Sequence, residues 1–218
     1  MLPWRLVSSK KKLDFYTLVS EFMLQQTQIK TVLPYFLRFI KRFPNVRKLS
    51  RASIRSVLKQ WEGLGYYSRA KNLHLTSKII CKKYSEKIPK EISDLKLLPG
   101  IGDYTASIIM AVVNNKPHIA FDGNVKRVVR RFFALNYDEN SENLKLIKYK
   151  SNIFLSKNRH GDLAQALMEL GALVCKPTNP ECTRCPLEKF CSFKKSNISF
   201  TKKTKRNNKL KYVALCYL

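Results

Sequence analysis

The sequence predicts an all-α protein, and three observations predict it. Apolar residues recur at helical spacing in one segment after another. Prolines and glycines punctuate those segments. No run alternates polar and apolar residues until "KYVALCYL" at the very end. The 218 residues suffice for one large domain or two small ones, and a hydrophobic content of 44% can fill a core.

The elements follow in order. Residues 14–26 form a first helix with Val19, Phe22 and Met23 on one face. On that helix "SEFMLQQTQ" sets Glu21 one turn from Gln25 and Gln26, an acid and two amides on an otherwise buried rod. Residues 30–42 form a second helix, with Pro34 near its first turn and Pro44 as its stop. "LSRASIRSVLKQW" at 49–61 is a third, with Leu49, Ile54, Val57, Leu58 and Trp61 on one side. A glycine turn in "GLGYYSRAKNL" runs into a fourth. Residues 92–98 make a short helix ending at "LPGIG", and 103–114 form the next. Val125, Val128, Val129, Phe132 and Phe133 define a helix behind "FDGN". Leu163, Leu167, Leu170 and Val174 define another. Trp4, Trp61 and Tyr67 read as core residues. Residues 192–211 carry eight Lys or Arg and no acid, which reads as a flexible basic linker. No repeat of 20–50 residues is present.

Charge narrows the class of partner. Lys plus Arg number 42 against 15 Asp plus Glu, a net charge of +27. Such an excess repels itself, so a polyanion is the natural partner. Nucleic acid fits better than an anionic membrane surface, because no basic amphipathic anchor stands out. There is no apolar run near 18 residues and no secretory signal at "MLPWRLVSSK". Four of the six Cys crowd into residues 175–191. That crowding points to a metal site rather than a disulfide framework. Cys81 and Cys216 read as unrelated thiols.

Three motifs carry chemistry. In "LPGIGDYTA" at 98–106 a short helix ends in a Gly-x-Gly hairpin and another begins at once. Gly100 and Gly102 permit positive φ and close backbone approach to a ligand. Their N–H groups and the helix start behind them form an anion site, and an ordinary αα-turn is the alternative. In "FDGNVKRVVRR", Asp122 stands at a helix start, either as an N-cap or as a carboxylate held beside a DNA backbone. An acid there would stabilise positive charge developing on a sugar. Cys175, Cys182, Cys185 and Cys191 are separated by six, two and five residues. One CxxC pair in a single proline-bounded loop suits an iron–sulfur cluster, with zinc as the alternative.

Together these residues resemble the endonuclease III superfamily of DNA glycosylases, from about Leu2 to Cys191. "SEFMLQQTQ", "WEGLGYYSRAKNL", "LPGIGDYTA" and "MELGALVC" resemble its adenine-specific, MutY-type branch. The resemblance implies two helical domains flanking a DNA cleft. A six-helix barrel with the helix–hairpin–helix would span 6–115. A domain carrying a 4Fe–4S cluster would span 1–5 and 116–197, with the four cysteines as ligands. Residues 198–218 would be a linker and the start of a C-terminal domain that recognises 8-oxoguanine, most of which is missing. The implied partner is double-stranded DNA with a mispaired adenine, bound by a monomer in the bacterial cytoplasm, at the nucleoid. Glu21 would be the pocket acid that protonates the flipped adenine, and Asp122 the carboxylate that stabilises or traps the sugar cation. Tyr104 stands where the lyase branch has a lysine, so no Schiff base can form. Gln26 and Tyr66 would wedge the base stack, while Gln165 and Arg5 would face the adenine. Gly100 and Gly102 would grip a phosphate. A thymine mismatch glycosylase on the same scaffold and a non-catalytic DNA-binding remnant are the alternative readings.

Overall fold

In the computed structural model the described residues are 2–5, 7, 9–135, 141–155 and 157–195, with 141–143, 194 and 195 described by backbone alone. The segment "KYVALCYL", Cys216 and most of the basic linker lie outside them. All regular elements among the described residues are helical. They are α1 Lys10–Leu24, α2 Ile29–Arg42, α3 Val46–Ser50, α4 Ile54–Trp61, α5 Tyr67–Lys83 and α6 Ile92–Lys96. Then come α7 Asp103–Val112, α8 Gly123–Phe132, α9 Ser141–Ser151, α10 His160–Glu169 and α11 Ser192–Lys195.

Two cores hold these helices. The first gathers Phe15, Leu18, Phe22, Phe36, Phe39, Trp61, Leu73 and Leu95 from α1 to α6, and Trp4 from the leading segment. Its rings meet edge to face, Trp4 on Phe36 at 5.0 Å and Phe39 on Trp61 at 5.9 Å. The second gathers Val125, Val128, Val129, Ile147 and Leu167. Helix α7 serves both sides. Ala106, Ile109 and Met110 enter the first core, while Ile108 and Ala111 meet Ala120 and Ala164. The small side chains let α10 lie close on α7, and this seam sets the walls of the cleft.

Several expected boundaries move, each for a physical reason. The first helix stops at Leu24 rather than running to residue 26, because Gln25 leaves helical dihedrals at ψ 111° and Gln26 follows left-handed at φ 57°. Glu21 therefore shares no rod with Gln25 and Gln26. The expected helix 49–61 is two, because Ser53 leaves helical dihedrals and caps α4 by accepting from the Ser56 N–H at 3.2 Å. Ile54, expected on the buried side, is 41% exposed at the first position of α4. Pro34 lies in the second turn of α2 and is tolerated there; Phe43, before Pro44, turns extended and ends the helix. Trp4 and Trp61 are buried, but Tyr67 is exposed at the start of α5. Helix α9 had no apolar stripe strong enough to announce it, and α11 occupies the first residues of the expected linker.

Candidate active site

A cavity of about 320 Å³ opens between α1, α7, α10 and the leading segment, within the range of small-ligand sites. Arg5, Glu21, Tyr104, Asp122 and Gln165 all line it. Five residues far apart in sequence, each named by the family resemblance, thus meet in one place.

Glu21 reaches the cavity from the last turn of α1, flanked by the fully buried Ser20 and Phe22. The residue keeps some surface because it faces the cavity, yet its carboxyl lies deep in the protein. Burial pushes the carboxyl up to about 7, and the Arg5 guanidinium opposes this only in part. Arg5 is held back by an ion pair with Glu169 on α10. Glu169 also lines the cavity, and sequence reasoning missed it.

Asp122 is the N-cap of α8. One carboxylate oxygen accepts from the Val125 N–H at 2.7 Å and the other from the Asn124 amide at 3.1 Å. Asp122 is thus an N-cap that also lines the cavity. The start of α8 is seated by Gly171, where a Cβ would come within 2.6 Å of Asn124. Tyr104 lies between the two acids. Burial, then the charges of Glu21 and Asp122, push its hydroxyl far up, so it stays a neutral donor, here to the Met168 sulfur at 3.2 Å. Gln165 stands one turn before Glu169 on α10 and faces the same cavity.

The hairpin lies next to this wall, between α6 and α7. Gly100 is left-handed at φ 80°, and an added Cβ would sit 2.8 Å from Phe22 and 2.9 Å from Asn72. Gly102 does not need positive φ, contrary to expectation: it is at −91° and a Cβ would meet nothing within 4 Å. The backbone at Gly102 is open to approach and does not need glycine's conformational freedom. The Gln25 amide donates to the Gly100 carbonyl at 3.1 Å and so ties the end of α1 to the hairpin. Gln26 and Tyr66 are exposed, both in left-handed conformation.

A second, smaller cavity is lined by Cys175, Cys182, Cys185 and Cys191, all free thiols. Arg131 closes one side. Its guanidinium lies 3.4 Å from the Cys175 sulfur and donates to the Lys176 and Pro177 carbonyls at 2.6 and 2.8 Å. Among the described residues no three His, Cys, Asp or Glu side chains are set to hold a single metal ion. No described helix is long and apolar enough to cross a membrane.

This geometry agrees with what the chain is similar to. An adenine DNA glycosylase of Buchnera aphidicola subsp. Baizongia pistaciae is 40% identical over 209 residues, 95% of this chain. The chain spans 58% of that relative's length. A thermostable thymine-DNA glycosylase superposes with TM-score 0.75 at 24% identity, covering 89% of this chain and 88% of the other. Endonuclease III trapped on DNA superposes with TM-score 0.68 at 22% identity, covering 82% and 83%. At those identities the likeness is one of fold. Residues 19–149 match the HhH-GPD superfamily of base excision DNA repair proteins, a span that runs from the Glu21 helix through the hairpin to Asp122, and the chain belongs to that superfamily.

Proposed function

We propose that the protein is a monofunctional adenine DNA glycosylase acting on duplex DNA with adenine opposite 8-oxoguanine or G. The observation that carries the reading is Glu21: a carboxyl raised to about 7, in one adenine-sized cavity with Asp122. An acid with that pKa holds its proton near neutral pH and can give it up to a base. The target adenine must leave the stack to reach it, at a cost of a few kcal/mol.

The steps balance as follows. The Glu21 carboxyl protonates adenine N7. The bond between C1′ and N9 breaks, and its electron pair stays with the purine, which leaves neutral. The sugar is left with oxocarbenium character, which ionised Asp122 stabilises. Water adds to C1′ and its proton returns to Glu21. Asp122 is fixed for this by the Val125 and Asn124 N–H groups, so the stabilising charge costs no reorganisation. Gln165 and Arg5 line the space the adenine would fill. Tyr104 has no amine, so strand cleavage through a Schiff base is absent. The hairpin N–H groups of Gly100 and Gly102, which take no part in the described backbone hydrogen bonds, would receive a phosphate.

The four cysteines line one cavity, and their single CxxC pair in one short loop suits a 4Fe–4S cluster better than zinc, whose sites usually take two close pairs. Cys175, Cys182, Cys185 and Cys191 would hold the cluster, which supplies a cross-link for a loop with little regular structure. We place the protein at the nucleoid as a monomer.

Single-turnover assays test the reading on three duplexes: A opposite 8-oxoguanine, A opposite G, and T opposite G. Adenine release without strand cleavage supports it. Thymine release alone would favour the mismatch enzyme, and no release would leave a DNA-binding remnant.

A further inference from the structure

Arg69 is buried on α5, 6% exposed, with no carboxylate partner among the described residues. A buried cation without a counter-charge is costly, so its surroundings must repay it with hydrogen bonds. They do, from two turns at once. One guanidinium nitrogen donates to the carbonyl of Met23 at 2.7 Å, to that of Gln25, and to the Thr27 hydroxyl at 3.0 Å. The other donates to the Gly65 carbonyl at 3.1 Å and reaches the Leu64 carbonyl at 3.4 Å. The plane lies 5.2 Å from the Tyr66 ring centroid and 5.7 Å from that of Trp61.

The first turn closes α1 and carries Gln26; the second opens α5 and carries Tyr66. Both residues are non-glycine and left-handed, at φ 57° and 47°. Such conformations persist only where the surroundings over-determine them. Leu24, Thr27 and Gln28 line the active cavity, so the first turn is its rim. No other side chain among the described residues bonds both turns.

We propose that Arg69 is a positioning residue that locks the two turns together, so that Gln26 and Tyr66 stand as one preformed wedge beside the cavity. The inference rests on the glycosylase reading above. A lysine could not replace it, because a point ammonium cannot reach acceptors on both turns in fixed directions. The consequence is specific. A loosened wedge impairs unstacking of a paired adenine and leaves the bond-breaking groups untouched.

The test compares wild type with Arg69→Lys in single turnover on adenine opposite G and on adenine opposite an abasic site, where little must be pried apart. Excision from the paired duplex should fall on the order of a hundredfold, the scale of a small misplacement, and from the unpaired one by a few-fold at most. Equal losses on both substrates, or no loss on either, would overturn the proposal. Should Arg69→Lys fail to fold, Arg69→Gln, whose planar amide can donate to only one of the two turns, carries the same comparison, and the same selective loss decides the matter. Wild type that releases no adenine from either substrate would instead overturn the glycosylase reading itself.

Discussion

At Glu21 the surroundings set the titration. Its ordinary value is 4.5, and burial carries it to about 7. The native state therefore holds this proton more tightly than the unfolded chain does. Below about pH 4.5 both states are protonated and Glu21 contributes no difference. As pH rises from there towards 7, stability falls, by roughly 3 kcal/mol for a shift of this size. Glu21→Gln should consequently be more stable than wild type at pH 8 and equal to it at pH 4, as urea unfolding at the two pH values would show. Wild-type excision should decline as pH rises through about 7, since the acid form does the work. Asp122 separates differently. Asparagine is as good an N-cap as aspartate, so Asp122→Asn should unfold at nearly the same urea concentration. Its excision should drop by on the order of 10²–10³, the scale of one lost electrostatic contact to a developing charge. The motifs made Glu21, Asp122 and Tyr104 legible in the sequence. Glu169 and Arg69 were not, because a lone charge on a helix gives no sign of the distant chain that will surround it.

At the scale of elements, the strongly patterned helices were legible and their ends were not. Val32, Phe36 and Phe39 announce α2, and Val125, Val128 and Val129 announce α8, since each set falls on one buried face. The end of α1 depends on Arg69, 44 residues away from Gln25, donating to its loose carbonyls. No local pattern could contain that information. The break at Ser53 was legible in principle, since "RAS" before a polar-apolar run is a capping signal, but the apolar spacing across it hid it. The hairpin makes a paired prediction. Gly100→Ala forces a side chain into Phe22 and Asn72 at a left-handed position and should destabilise the protein by 1 kcal/mol or more, roughly the penalty for such backbone strain. Gly102→Ala meets open space at an ordinary φ and should leave the unfolding midpoint unchanged. Because the added methyl would stand where a phosphate approaches, it should still weaken DNA binding, measured by fluorescence anisotropy.

For the whole molecule, α7 joins the first core to a small seam with Ala120 and Ala164, and the cavity lies along that seam. The helix that follows the hairpin and carries Tyr104 is thus packed on both of these sides. The net charge of +27 surrounds this arrangement. DNA affinity should fall steeply with salt, by on the order of 10³ between 50 and 200 mM if about six phosphates are contacted. The cysteine loop should bring about four irons per chain; stoichiometric zinc in the purified protein would contradict that assignment. Cys191→Ala should lower folding yield or DNA affinity more than the rate of base release, because Cys191 lines the other cavity and not that of Glu21.

We have proposed Glu21 as the acid that releases adenine. Single-turnover excision from a duplex with adenine opposite G, for wild type and Glu21→Gln, with DNA affinity measured alongside, tests this. Wild type should release adenine and Glu21→Gln none, at nearly equal affinity, since the proposed DNA contacts are the hairpin and the basic surface. Undiminished excision by Glu21→Gln would contradict the proposal.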